Sequence, residues 1–181
     1  MENIFLIKWY GPFASLEDVK QWENEQTFKC SLYLLHGKEK YAKTSEKYYC
    51  GMSIRSVNKR LCDKGHHIEE IQARLISIYV GCLAHTDNPS REQVKLAEKV
   101  ITANLTYFAG ADNVLNAINT YFPCKNVYVI NEWWKKDGMS IWQRQPKNSP
   151  SNIIPDVIVW HYNCNGGNDL LGCKKSKSLV K

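Results

Sequence analysis

Residues 30–52 read CSLYLLHGKEKYAKTSEKYYCGM, and this stretch decides the fold. Its two apolar runs, 30–37 and 47–52, are rich in the aliphatic and aromatic residues that favour strands. A polar loop, KEKYAKTSEK, joins them, so the two strands are expected to pair as an antiparallel hairpin. Each strand carries a central tyrosine, Tyr33 in the first and Tyr49 in the second.

Helical and extended patterns alternate after this hairpin. Apolar residues recur at helical spacing over 54–64, LISIYVGCLA at 75–84 is a predicted strand, and a longer helix is predicted over 91–108. Glu98 falls inside the apolar face of the longer helix, one turn from apolar residues on either side. A carboxylate there must be paired, bind a metal or line a cleft.

Both ends of the chain are predicted to add further elements. These are a strand at 3–10, helices at 16–25 and 112–122, and strands at 126–134 and 156–163. The expected fold is α+β, a small mixed, mainly antiparallel sheet flanked by helices, with strands 30–37, 47–52 and 75–84 at its centre. The terminal strands either extend this sheet or form a second one. The predicted parts are an N-terminal extension (1–27), a core (28–122), C-terminal strands packing on the core (123–165) and a basic flexible tail (166–181).

Length, charge and cysteine content narrow the class of protein. A chain of 181 residues has room for one domain with a flank, and a net charge of +6 permits a nucleic-acid partner without demanding one. No apolar run reaches the roughly 20 residues of a membrane span, and the start MENIFLIKWYG does not resemble a signal peptide. Seven scattered cysteines with no C-x-x-C pair indicate reduced thiols and a cytoplasmic location.

The order of these features resembles the GIY-YIG nuclease superfamily over roughly residues 28–116. The residues that carry the resemblance are Ser31-Leu32-Tyr33, Tyr49-Cys50-Gly51-Met52-Ser53, Lys59-Arg60-Leu61, Ala97-Glu98-Lys99-Val100-Ile101 and Asp112-Asn113-Val114-Leu115. Ser31 stands where the family usually has glycine, and the hairpin loop is longer than in compact members. The order strand, strand, arginine helix, strand, glutamate helix, asparagine is more specific than any one motif.

The resemblance implies a metal-dependent endonuclease that hydrolyses DNA phosphodiester bonds, similar to a stand-alone restriction or mobile-element nuclease. Glu98 would hold Mg²⁺ or Mn²⁺, since a hard cation suits one carboxylate with several retained waters. Arg60 would hold the scissile phosphate through its guanidinium fork. Tyr33 would be the general base, with nearby positive charge lowering its pKa, and Tyr49 would orient the water or phosphate.

These four side chains are expected to converge on one concave surface. An arrangement with Glu98 and Arg60 on opposite faces of the sheet would contradict the nuclease hypothesis. The supporting candidates are Lys47, Tyr48, Gly51, Ser53, His66, His67 and Asn113. Neighbours on a strand point to opposite faces, so only one of Tyr48 and Tyr49 faces the site.

Some supporting candidates have two interpretations. His66 and His67 either assist the base or phosphate, or form a polar helix end without a ligand role. Asn113 either braces the site or is the N-cap of the helix that follows. Lys47 could lower the pKa of a tyrosine. Gly51 in a strand marks a bulge or a close approach of another backbone.

The expected partner is double-stranded DNA, and RNA is left open as a substrate. Cleavage of a palindrome would favour a homodimer, because two-fold sites match two-fold proteins. The basic hairpin loop 38–47 and the Lys135-Lys136 corner are candidates for contacts with the nucleic-acid backbone.

Other hypotheses remain beside the nuclease. One is a catalytically silent nucleic-acid-binding module on the same scaffold, and another is a small protein whose motif arose by chance. Glu98 could form an ordinary ion pair with Lys95 or Lys99, and the two tyrosines could be ordinary sheet residues. A zinc site built from His161, Cys164 and Cys173 is disfavoured by its loose spacing.

Overall fold

The structure is a computed structural model that describes residues 3–84, 88–142 and 154–173. Within these ranges seven strands form one mixed sheet of order β3-β2-β4-β1-β5-β6-β7, accompanied by four α-helices. The strands are β1 (Asn3–Phe13), β2 (Leu32–Gly37), β3 (Lys47–Met52), β4 (Leu75–Leu83), β5 (Val127–Trp134), β6 (Val157–His161) and β7 (Asp169–Cys173). The α-helices are α1 (Leu16–Glu25), α2 (Val57–Leu61), α3 (Ile68–Ile71) and α4 (Arg91–Ala109), and 3-10 turns cover Gln72–Arg74 and Ala111–Asn113.

The α+β class and the mainly antiparallel sheet are confirmed. Strands β2 and β3 form the predicted hairpin, with Tyr33 opposite Gly51, and β2 also pairs antiparallel with β4. The pair of β1 with β5 is parallel, and the remaining pairs among the described strands are antiparallel. The terminal strands therefore extend one sheet.

The centre of the sheet differs from the prediction. β1 lies in the middle, between β4 and β5, whereas β3 is an edge strand. Both faces of β1 are apolar: Trp9 is buried on one face, and Tyr10 and Phe13 on the other. A strand that is apolar on both faces is stable only inside a sheet that is covered on both sides. Residues 3–13 are thus part of the sheet's middle rather than an extension.

Two helix predictions and one tail prediction need correction. The helix predicted over 54–64 is the short α2, which ends at Leu61, with α3 following it. The helix predicted over 112–122 does not form: residues 114–126 are extended or irregular, and Leu115 and Asn116 bond to β3. Residues 169–173 of the predicted flexible tail form strand β7, and 174–181 lie outside the described residues.

Helices cover both faces of the sheet. One face packs against α4, with Leu34 and Ile101 in its core, and the other packs against α1, α2 and α3, with Leu35 and Val57 in its core. Side chains alternate along the hairpin strands, so Tyr33 and Tyr49 belong to the second face.

Helix α2 is fixed in position by α1. The carboxylate of Glu23 accepts hydrogen bonds from the backbone N–H groups of Val57 and Asn58, at 2.7 and 2.8 Å. Ser56 caps the same helix end, since its Oγ accepts from the backbone N–H of Lys59. These groups satisfy first-turn donors that would otherwise lack partners.

The prediction that all cysteines are reduced is wrong for one pair. Cys30, just before β2, and Cys82 in β4 form a disulfide. Among the described residues Cys50, Cys62, Cys124 and Cys164 are free thiols. Reduced cysteines therefore no longer support a cytoplasmic location, which stays a prediction. None of the helices in the described ranges is both long and apolar enough to cross a membrane.

Candidate active site

Four residues selected from the sequence meet in one cavity. Tyr33, Tyr49, Arg60 and Glu98 all line a cavity of about 550 Å³. The cavity lies beside edge strand β3, whose backbone also bonds to the segment that follows α4. The expected convergence on one concave surface is therefore present.

The two charged residues reach this cavity from helices on opposite faces of the sheet. Arg60 lies on α2, which packs on the tyrosine face, and Glu98 lies on α4, which packs on the other face. Because β3 is an edge strand, side chains from both layers can reach around it, and the charge of Arg60 lowers the pKa of Glu98. The two helices therefore lie on opposite faces of the sheet, which is the arrangement expected to contradict the nuclease hypothesis, whereas the two charged groups themselves line one cavity.

A hydrogen bond joins His66 to Tyr33, and ring stacking joins Tyr33 to Tyr49. Nε2 of His66 is 2.8 Å from Oη of Tyr33, and Nδ1 accepts a bond from the backbone N–H of Ile68 at 3.0 Å. Burial and then the charge of Arg60 lower the pKa of His66 to about 4. The neutral ring therefore carries its proton on Nε2 and donates to Tyr33. The ring of Tyr33 stacks on that of Tyr49, with the ring centroids 6.0 Å apart.

The two phenols differ in exposure. Tyr33 is 0% exposed and Tyr49 is 8% exposed. Burial raises the pKa of Tyr33 far above its ordinary value, and this effect outweighs the opposite effect of Arg60. Burial also raises the pKa of Tyr49, against an opposite effect of the charge of Arg60. The positive charge expected to activate Tyr33 is thus outweighed, and Tyr49 is the more accessible phenol.

Gly51 makes room for the ring of Tyr33. A Cβ atom at position 51 would lie 2.4 Å from both Cζ and Oη of Tyr33. The ring is fully buried and cannot swing away without disturbing its neighbours. The approaching group is a side-chain ring, so neither of the two interpretations of this glycine, a bulge or another backbone, applies.

Arg60 lines the cavity and forms an ion pair with Asp63. Its Nη1 donates to Oδ2 of Asp63 at 2.8 Å, and Asp63 also accepts from Arg55. The bond to Asp63 raises the pKa of Arg60, so the guanidinium is cationic at every physiological pH. Its side chain is partly exposed and can exchange this carboxylate for another anion.

Glu98 is the acidic member of the cavity lining and is only 9% exposed. Burial raises the pKa of its carboxyl from 4.5 to about 7, against smaller opposite effects of Lys95 and Arg60. The Nδ2 of Asn119 lies 3.5 Å from its Oε2. An ordinary ion pair with Lys95 or Lys99 is not among its contacts in the described chain. A carboxylate held in this way would gain from a cation that enters the cavity.

The bracing role expected of Asn113 belongs to Asn116. The Oδ1 of Asn116 accepts from the backbone N–H of Cys50 at 3.0 Å, and its Nδ2 donates to the carbonyl of the same residue at 2.7 Å. The amide thereby satisfies both groups of Cys50 at the edge of β3, as a further strand would. Asn113 instead donates to the carbonyl of Ala109 at the end of α4.

We expect Asn116→Ala to lower the free energy of unfolding by about 2–4 kcal/mol, because two buried backbone groups of Cys50 lose their partner. The matched control, Asn113→Ala, removes a less buried bond and should cost about 1 kcal/mol or less. Urea unfolding followed by circular dichroism measures both. Equal losses in the two variants would show that Asn116 does not brace the edge strand.

Two supporting candidates lie away from the cavity lining. Tyr48 faces the α4 side, where its ring stacks on His36 at 4.6 Å and its hydroxyl donates to Glu46. Lys47 is bound to the carbonyl of Asp112 and to Glu39. Neither side chain lines the cavity, so of the two adjacent tyrosines it is Tyr49 that faces it.

Three supporting candidates are close to the cavity, namely Ser53, His66 and His67. Ser53 and His67 line it, and the His67 ring packs 4.9 Å from that of Tyr49. The hydroxyl of Ser53 accepts from the backbone N–H of Arg55, which shapes the turn into α2. His66 lies behind the lining, in contact with Tyr33.

The cavity lining also contains residues that were not predicted as site residues, namely Arg91, Lys95, Asn116 and Asn119. Arg91 and Lys95 could have been found, because they precede Glu98 by seven and three residues on the same side of α4. With Arg55 and Arg60, which are both paired with Asp63, they place four cations against one carboxylate in the lining. The cavity is therefore suited to an anion.

The described residues contain no group of three or more His, Cys, Asp or Glu side chains that could hold a metal. The hypothetical zinc ligand His161 packs its ring against Tyr128, and the side chain of Cys173 lies outside the described part of the structure. A cation at Glu98 would thus have one protein carboxylate and would depend on water and substrate for its other ligands.

Comparison of the chain with protein-family models, with curated proteins and with solved structures found no match.

Proposed function

We propose that this protein is a metal-dependent endonuclease of the GIY-YIG type that hydrolyses phosphodiester bonds in DNA. The observation that carries this proposal is the convergence of Tyr33, Tyr49, Arg60 and Glu98 on one cavity. The order of elements also supports it: a hairpin, a helix bearing arginine, a strand and a helix bearing glutamate. Residues brought together from four elements by chance would not be expected to share a cavity.

The charges around the cavity favour a phosphodiester as the ligand. The lining carries Arg55, Arg60, Arg91 and Lys95, whose cations attract a polyanion and steer its approach. Arg60 has the planar fork that binds two phosphate oxygens at once, and it is partly exposed toward this space. We therefore assign Arg60 to the scissile phosphate.

Glu98 fits a hard divalent cation such as Mg²⁺ or Mn²⁺. Mg²⁺ is commonly bound by one or two carboxylates and keeps several waters. Burial raises the pKa of Glu98, and a bound cation would stabilise its ionised form. When bound, the metal would supply Lewis-acid stabilisation of charge on the phosphate oxygens. Glu98 is the residue that would hold it.

Of the two phenols, we assign the role of accepting the water's proton to Tyr49. Tyr49 is the more exposed, and the charge of Arg60 acts to lower its pKa. Tyr33 and His66 then act as positioning residues behind it. This assignment modifies the role that the family resemblance implies for Tyr33.

A nucleic-acid-binding module without activity is the second candidate. The observation that favours it is the high pKa of both phenols, which makes either of them a poor base unless positive charge is added. The two candidates differ in whether the wild-type protein cuts DNA.

We expect the wild-type protein to cut plasmid and long genomic DNA with Mg²⁺ but not with EDTA. Arg60→Lys should slow cutting about a hundredfold, because lysine cannot reproduce the bidentate contact. Lys59→Ala changes an exposed neighbour on α2 and is the matched control, which should cut as the wild type does. Gel electrophoresis of the products measures the rates.

Two outcomes would contradict this proposal. Salt-dependent binding without cutting on any substrate would favour the silent module. If the Arg60→Lys variant binds and cuts DNA as the wild type does, Arg60 is not part of the active site.

A further inference from the structure

A second cavity adjoins the first. It has a volume of about 360 Å³, within the range of roughly 300–1,000 Å³ of small-molecule sites. Ile54 and Arg55 line both cavities, so the two cavities share these residues as a wall. These two residues directly follow Ser53, which lines the first cavity.

An aromatic side chain forms one wall of the second cavity. Phe28 is 42% exposed, which is unusual for a phenylalanine. Its ring is held from behind by Trp22, with centroids 5.9 Å apart, and by Tyr10 at 5.4 Å. A rigid, half-exposed ring of this kind is a platform on which a nucleobase can stack.

An exposed apolar side chain stands at the junction of the two cavities. Ile54 is 78% exposed, although the flanking Ser53 is buried. Apolar side chains presented to nucleic acid in this way act as wedges that separate stacked bases. Its position between the two cavities places such a wedge next to the bound phosphate of the proposed site.

The charge of the second cavity also suits a nucleic-acid strand. Lys29 and Arg55 contribute cations to its lining. The carboxylate of Glu23, which also lines it, is occupied by the backbone N–H groups of Val57 and Asn58. A phosphate can thus approach without meeting an unpaired carboxylate at Glu23.

We propose that the second cavity is a nucleotide subsite that holds an unstacked nucleotide next to the scissile phosphate. Its base packs against Phe28 and Ile54, and its phosphate is bound by Lys29, since the guanidinium of Arg55 is paired with Asp63. The preferred ligand is then a single strand, or a duplex with an unpaired nucleotide, rather than a fully paired duplex. This inference rests on the proposed nucleic-acid function of the first cavity.

The test is a binding measurement in EDTA, which requires no cleavage. Fluorescence anisotropy would compare a labelled DNA duplex, the same duplex with one unpaired nucleotide, and the single strand. The wild type should bind the last two more tightly than the paired duplex. Phe28→Ala and Ile54→Ala should each weaken binding of these two ligands about tenfold, as loss of one base contact does. Phe28→Trp should retain the preference.

Matched controls are Tyr107→Ala and Ile4→Ala, which shorten exposed apolar side chains outside both cavities. Both should bind as the wild type does, and thermal unfolding should show that all variants are folded. Unchanged affinities in Phe28→Ala and Ile54→Ala, with all three DNAs bound equally well, would overturn the subsite and leave the nuclease proposal standing. Failure of the wild type to bind any of the DNAs would overturn both.

Discussion

Glu98→Gln is expected to reduce metal-dependent DNA cleavage by about a thousandfold, because several kcal/mol of charge stabilisation by the metal are lost. Glutamine has nearly the same shape but carries no charge, so the packing of α4 against the sheet should be preserved. Glu92→Gln, which changes an exposed carboxylate on the same helix, is the control and should cut normally. Cutting by Glu98→Gln at the wild-type rate would exclude Glu98 from the site.

The same substitution should stabilise the protein at alkaline pH in EDTA. The pKa of Glu98 is about 7 in the folded protein against 4.5 ordinarily, so folding favours the protonated carboxyl. That contribution is complete below about pH 4.5 and is lost as the pH rises through about 7. Above pH 8 the glutamine variant should therefore be more stable than the wild type by on the order of 3 kcal/mol.

Thermal or urea unfolding at pH 5 and pH 8.5 separates this effect from general changes in packing. The difference between Glu98→Gln and the wild type should be larger at pH 8.5, whereas Glu92→Gln should show no such trend. A stability difference that does not depend on pH would mean that the carboxyl of Glu98 does not titrate near neutrality. Reduced activity combined with increased stability is typical of functional residues.

Gly51→Ala is expected to lower both stability and activity, because its methyl group would occupy the space of the Tyr33 phenol. The added Cβ would lie 2.4 Å from the Tyr33 hydroxyl oxygen, and overpacking of this kind costs about 1–3 kcal/mol. Relief of the clash would move Tyr33 away from His66 and Tyr49, so we also expect cleavage to fall by about tenfold or more.

A double-mutant cycle with Tyr33→Ala tests this explanation. Removal of the ring opens the space that the methyl group needs, so Gly51→Ala should cost little in the Tyr33→Ala background. The coupling energy from urea unfolding should then be about 1–3 kcal/mol. Additive effects would show that Gly51 is required for another reason, such as the local conformation of β3.

Secondary structure was predictable where apolar spacing is strong and regular. Helices α1 and α4 and the strands of the hairpin lie close to their predicted positions. The helix expected over 112–122 failed for a tertiary reason, because Asn116 forms its bonds with the edge of β3 instead. The Cys30–Cys82 disulfide was missed because the two residues are 52 positions apart and meet only when β2 pairs with β4.

The candidate site was predictable in its residue types but not in its geometry. The position of Glu98 on the apolar face of its helix could be recognised from helical periodicity alone, because a charged residue among apolar residues at helical spacing is visible in the sequence. Tertiary contacts decide that Asn116, and not Asn113, bonds to β3. They also decide where the side chains of Lys47 and Tyr48 lie. Such contacts join distant parts of the chain and have no local signal.

The sequence by itself determined the hairpin, the glutamate helix and the residues that a phosphodiesterase site would need. Only the tertiary structure decided that β1 occupies the middle of the sheet, that β3 lies at its edge, and that Arg60 and Glu98 reach one cavity from opposite faces. The physical reason is that local patterns specify which face of an element is apolar, whereas strand order depends on which strands must be buried on both faces. Burial then set the pKa values, raising those of Tyr33, Tyr49 and Glu98 and lowering that of His66.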